Sequence, residues 1–228
     1  MTLRMTELEV RLPDRKRASS SFSKKKPVAE VSCIMENRRV REIVVPVRVG
    51  RILIKEDIGL PLDEEAAFDA IHALEGRVCY TVLTEMLSRR DHSTDEVRQK
   101  LIDYGFRNQE IDIAISHALE HGYLNDGRFM SYFIEERKRR GWGRRKIEVE
   151  LRRKGIDFEA IPGYPEAFFC EEDDRERALS VLKRKPIPSD RAYEKLVRHL
   201  MTKGFPYSIA SDAVRAHLSE HLMNEEVM

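Results

Sequence analysis

The chain has 228 residues, enough for one domain or two small ones with a real core. Charged residues make up 36% and aromatic residues 7%, a helix-rich profile; no run of 18 apolar residues occurs and the start lacks a secretory-like apolar stretch, so a cytoplasmic chain without a membrane span is expected. The net charge of +1 hides segregation, because residues 1–55 carry +8, 56–136 carry −11, 137–154 carry +8 and 155–228 carry −4. Eight excess positive charges within 18 residues are a candidate footprint for nucleic acid or an acidic protein groove.

Residues 1–27 are polar, include SSSFSKKKP and show no apolar period, which predicts a disordered basic tail. From 28 to 62 the character changes. The runs VAEVSCIME, RVREIVVPV and GRILIK are rich in β-branched residues, with turn signals at Asn37 and Gly50 and a strand end at Pro46. They predict a small three-stranded antiparallel β meander. Cys33, Cys79 and Cys170 are far apart, odd in number and without a CxxC pair, so they read as buried apolar fillers rather than disulfides or metal ligands.

From Asp63 onward the pattern is helical. Helices are predicted at 66–75, 77–90, 93–104, 108–121, 126–140, 144–154, weakly at 158–170, then at 172–184, 189–203 and 207–221. Three segments repeat: EVRQKLIDYGF, KIEVELRRKGI and EKLVRHLMTKGF, with Gly105, Gly155 and Gly204 spaced by 50 and 49 residues. Each glycine has a Leu four positions before it and an apolar residue directly after it. A left-handed glycine ending a helix brings those two side chains together in a Schellman cap, so the expected pairs are Leu101–Phe106, Leu151–Ile156 and Leu200–Phe205. Ser93-Thr94-Asp95-Glu96 is a capping box, and Asn125 or Asp126 can cap the helix that follows. The chain thus divides into a linking helix at 63–76, three three-helix modules at 77–122, 123–171 and 172–222, and a short tail at 223–228. Pro162, Gly163 and Pro165 interrupt the last helix of the middle module.

The stretch RRGWGRRK at 139–146 concentrates five cations around the only Trp. Arg137, Lys138, Arg139 and Arg140 end one helix, where cations complement the macrodipole, so stability explains them. Arg144, Arg145 and Lys146 open the next helix, where cations oppose the dipole by roughly 0.3–1 kcal/mol each. Arg152, Arg153 and Lys154 extend the charge at its far end, while Ile147 and Leu151 mark its buried stripe. The basic face is therefore a candidate contact surface. Trp142 has two readings: packing between helices in a turn that its glycines allow, or stacking on a base or partner.

No catalytic constellation emerges. The seven histidines lack HExxH spacing; His117 and His121 stand four apart without further ligands, and Asp91-His92 reads as a turn. No Walker loop, GxGxxG or GxSxG occurs, so no enzyme, metal or cofactor is expected.

RRDHSTDEVRQKL, then HGYLNDGRF, then the basic GWG segment and ELRRKGI, resemble the RecX family of RecA regulators over about 75–221. RALSVLKRK and KLVRHLMTKGF carry a weaker likeness in the third module. The resemblance implies an elongated, curved array of three-helix modules. It implies a non-catalytic inhibitor, expected as a monomer, that binds the groove of the RecA–DNA filament and limits filament growth, ATPase and coprotease activity. The candidate contacts are Arg137, Arg139, Arg140, Trp142, Arg144, Arg145, Lys146, Arg152, Arg153 and Lys154. The alternative partner is DNA itself, single- or double-stranded. No Asn, Gln, Ser or Thr lies between 142 and 154 to read bases, so such binding is expected to be largely nonspecific.

Overall fold

The computed structural model describes residues 3–14 and 26–226, with side chains to 223. Two compact units meet in sequence at Asn125 and Asp126. The fold is mainly α-helical with an N-terminal antiparallel sheet.

The sheet has strands β1 (Arg4–Arg11), β2 (Val28–Met35), β3 (Val40–Pro46) and β4 (Leu62–Asp63), in the order β3-β2-β1-β4. β1 corrects the expectation of a disordered tail from residue 1. Met5 is fully buried and Leu8 and Val10 half-buried, with charged residues between them and a bulge between Met5 and Glu7 that keeps the alternation in register. A strand with one wet face is polar on average, which is why composition hid it. The rest of that tail, 15–25, lies outside the described residues.

The third strand expected at GRILIK is instead a helix, α1 (Val47–Leu53). Pro46 ends β3, and Val49 and Leu53, four apart, turn inward. Gly50 lets α1 lie on β2, since a Cβ there would fall 2.6 Å from that of Ala29. Helical spacing and close packing override β-branched propensity.

One helix, α2 (Glu64–Leu87), replaces the linking helix and its neighbour. Gly76 does not break it. It opens space for α4 (Asn108–Glu120), because a Cβ at Gly76 would meet a Glu110 carboxylate oxygen at 2.8 Å. Between them α3 (Thr94–Asp103) starts as expected, with Ser93 accepting the Glu96 N–H at 3.1 Å. Arg107 links α2 to α4. It donates from its backbone N–H and Nε to buried Glu75 at 2.9 and 3.1 Å, contacts His72 Nε2 at 2.8 Å and pairs with Glu110. Burial pushes the Glu75 carboxyl up, against the pull of Arg107; burial and then the Arg107 charge hold His72 down.

The second unit contains α5 (Asp126–Arg139), α6 (Arg144–Arg153), α7 (Glu171–Lys183), α8 (Ala192–Thr202) and α9 (Tyr207–Glu226). α9 runs on through part of the stretch expected to be a tail. The weak helix at 158–170 is only a 3₁₀ turn, Phe158–Ala160, followed by turns. Pro162 and Pro165 cannot donate to a helical ladder, and Phe158, Tyr164, Phe168 and Phe169 fill the space against α5 and α6. A separate core joins α7, α8 and α9 through Leu182, Leu196, Leu200 and Phe205.

The three glycine caps form as the repeat predicts. Phe106, Ile156 and Phe205 donate to the carbonyls of Leu101, Leu151 and Leu200 at 3.2, 3.1 and 3.1 Å. All six side chains are buried, and Gly105, Gly155 and Gly204 have φ of +88°, +69° and +96°. Cys33 and Cys79 are buried, and burial pushes the Cys79 thiol up to about 12. Cys170 is exposed at the start of α7, contrary to its reading as a core filler; Pro165 and the turns around it leave no helix to bury it.

Candidate partner-binding surface

The basic stretch lies entirely in the second unit. Gly141, at φ +73°, ends α5 with a fourth cap of the same kind: its N–H donates to Lys138 at 2.8 Å and that of Trp142 to Arg137 at 3.1 Å. Gly143 then opens α6. Its N–H donates to the Lys203 carbonyl at 2.9 Å, and that of Arg145 to the Gly204 carbonyl at 3.1 Å. The C-terminal end of α8 therefore supplies acceptors to the N-terminal end of α6. A Cβ on Gly143 would lie 2.4 Å from the Gly204 carbonyl carbon, so only glycine allows this approach.

This junction answers the electrostatic question posed by Arg144, Arg145 and Lys146. The partial negative charge at the end of α8 sits against the partial positive charge at the start of α6. Cations in that first turn meet the end of one helix as well as the start of another, so their cost is smaller than the isolated helix suggests.

The ten candidate residues do not form one patch. At the far end of α6, Arg152 pairs with Glu159 at 3.3 Å and covers Phe158, and Arg153 pairs with Glu150 at 2.8 Å. Lys154 lies 5.7 and 5.6 Å from the Phe129 and Phe133 rings. At the near end, Arg144 donates to Glu148 at 2.7 Å, and Tyr164 donates to the same oxygen at 2.5 Å. Burial, then that bond, pushes the Tyr164 phenol up. Arg140 pairs with Glu136. Trp142 is half-buried against the second module's core, with Arg137 and Lys146 4.9 and 4.3 Å from its ring centroid. Packing thus accounts for the Trp, and its own cations line it. Arg139 and Arg145 are exposed and make no ion pair among the described residues.

Tertiary packing adds partners the sequence reading missed. Lys138, Arg139 and Arg140 line one side of a groove of about 970 Å³, and Arg184, Lys185 and Lys203 line another. These cations sit at or beside the C-terminal ends of α5, α7 and α8. Burial, then the Lys185 and Lys203 charges, holds His199 in the groove below its ordinary value. Glu135, Asp173 and Glu176 also line it, but cations outnumber carboxylates. The available signal was the run Lys183-Arg184-Lys185 at the end of a repeated helix, as at Arg137–Arg140.

The His117 and His121 rings lie 4.2 Å apart between centroids, tilted by 53°. Among the described residues no three side chains converge as metal ligands, and no helix is long and apolar enough to cross a membrane.

Two domain models match: the first three-helix domain of RecX over residues 79–117 and the second over 125–161. The regulatory protein RecX of Vibrio vulnificus is 36% identical over 135 residues, spanning 57% of this chain and 86% of that one. Its counterpart in Clostridium perfringens strain 13 is 27% identical over 173 residues, 73% of this chain and 79% of that protein. Among solved structures, RecX from Lactobacillus salivarius superposes with a TM-score of 0.57 at 19% identity, over 64% of this chain and 97% of its own. A second RecX crystal structure gives 0.55 at 17% identity over 91% and 96%. With capped three-helix units in the fold and a relative of this identity matched over most of its length, the chain belongs to the RecX family of regulatory proteins.

Proposed function

We propose that this chain is a non-catalytic inhibitor of a RecA-type recombinase. It binds as a monomer in the groove of the RecA–DNA filament, in the cytoplasm, and limits filament growth, ATPase and coprotease activity. Family membership supports the recombinase as partner. The observation that carries the contact surface is the groove of the second unit, where Arg139, Arg184, Lys185 and Lys203 make no ion pair among the described residues. Such cations complement an acidic filament surface or its DNA. Arg144, Arg152 and Arg153 are engaged by Glu148, Glu159 and Glu150.

The test is RecA ATPase on single-stranded DNA with substoichiometric protein, beside a variant carrying Arg139→Ala, Arg184→Ala and Lys185→Ala. The native chain suppresses turnover, and the variant needs a markedly higher concentration for the same effect. A native chain that leaves turnover unchanged sinks the proposal.

Direct, nonspecific DNA binding is the second reading, favoured by the same unpaired cations. It predicts equal affinity for two unrelated duplexes without RecA, and a salt slope that falls by about one for each phosphate-contacting cation removed.

A further inference from the structure

The N-terminal sheet lies outside both stretches matched by the RecX domain models. β3 is its outermost strand, and among the described residues no backbone group pairs with its outer edge. An unpaired edge presents N–H and C=O groups at alternate residues, a template that an incoming strand completes.

The strand's solvent face is apolar and acidic, with Arg38 and Arg39 in the turn just before it. On the solvent face, Val40 and Val44 are 52% and 59% exposed, with Glu42 between them. Glu42 registers with Ser32 and Ser32 with Glu9, while Glu7 registers with Ile34 beside Val40. Glu7, Glu9 and Glu42 make no ion pair among the described residues. Behind the edge, Arg41 and Ile43 line a cleft of about 680 Å³ between β3 and α2. Leu3, Ile43 and Phe68 make it partly apolar, and Glu65 and Asp69 are exposed at it without an ion pair among the described residues. The cations there are engaged: Arg41 pairs with Glu64 at 3.3 Å and stacks 4.5 Å from the Phe68 centroid, and Arg107 is held by Glu75.

We propose that the open edge of β3, with the acidic cleft behind it, docks an extended basic segment of a partner protein that adds as a further strand. Main-chain hydrogen bonds supply affinity. Lys or Arg side chains opposite Glu42 and over Asp69, with an apolar side chain in the cleft, supply selectivity. A second copy of this chain is a poor occupant. Antiparallel self-pairing centred on Glu42 sets two carboxylates against each other, and like charges directly opposite destabilise a sheet. Pro46, which has no N–H to donate, and the Arg41 charge discourage unselective pairing at the same edge.

The probe is a labelled synthetic peptide of alternating Lys and Val, titrated by fluorescence anisotropy into the full chain. Saturable binding is expected, with slowed amide exchange confined to β3 and its neighbour strand. The variant Glu42→Lys/Asp69→Lys, checked for native circular dichroism, should bind about tenfold more weakly. A peptide of the same charge with Pro at alternate positions lacks the N–H donors and should not bind. The proposal is overturned if that proline peptide binds as well as the first, if the double variant binds unchanged, or if β3 amides gain no protection. Sedimentation showing a dimer broken by Glu42→Lys would assign the edge to a second copy and overturn it equally.

Discussion

Replacing Gly143 with Ala tests the junction on which the basic stretch depends. The added Cβ would sit 2.4 Å from both the Gly204 carbonyl carbon and the Phe205 nitrogen. These are backbone atoms within a capped helix end, so no side chain can swing aside. Separating the elements costs the two hydrogen bonds from Gly143 and Arg145, at about 1 kcal/mol each, and overpacking adds about 1–3 kcal/mol. A loss of about 3–5 kcal/mol is expected. Gly122→Ala is the control. Its φ is +68° but no atom lies within 4 Å of the added carbon, so only the left-handed backbone cost of about 1–2 kcal/mol applies. Urea unfolding followed by the fluorescence of Trp142, the only tryptophan, reads the second unit for Gly143→Ala, and far-UV circular dichroism reads the first unit for Gly122→Ala. If Gly143→Ala loses no more stability than Gly122→Ala, the close approach of α6 and α8 is wrong, and with it the electrostatic account of Arg144–Lys146.

Ser93→Ala removes the side-chain acceptor for the Glu96 N–H and should cost about 1 kcal/mol, measured as a lowered urea midpoint at unchanged slope. The histidines set a pH dependence with a definite sign. His72 and His199 are held below their ordinary value of 6.5, so in the window just below it the unfolded chain binds more protons and stability falls as pH falls. Glu75 acts oppositely: its raised value means the folded state binds more protons above the ordinary 4.5, so its penalty is relieved as pH falls through that region. His72→Gln should flatten the decline between pH 7 and 5; a midpoint profile identical to the native one would remove His72 from the account.

The helical array was legible because its signals are local. A Schellman cap needs a glycine, a Leu four positions back and an apolar residue next in line, and three such sets recur in the chain. The Ser93 capping box is likewise contained in four residues. β1 was not legible. Its alternation of Leu8 and Val10 with charged residues is short, and the bulge after Met5 breaks the period. The GRILIK helix was missed because the same β-branched residues suit either element until packing on β2 decides.

The amino-acid sequence by itself determined the family, the repeated helix ends and where positive charge accumulates. Tertiary structure decided which of those charges are available. Arg152 and Arg153 lie near in sequence to Arg145 yet find carboxylates, while Arg139 lines a groove with Arg184, Lys185 and Lys203 from later helices. The glycine at 143 reads as a flexible turn until the end of α8 is seen against it. Caps, periods and the carboxylates that engage Arg152 and Arg153 lie within a few residues along the chain, whereas the backbone contacts at Gly143 and the groove partners of Arg139 come from residues some 45 to 60 positions away, and only folding brings those together.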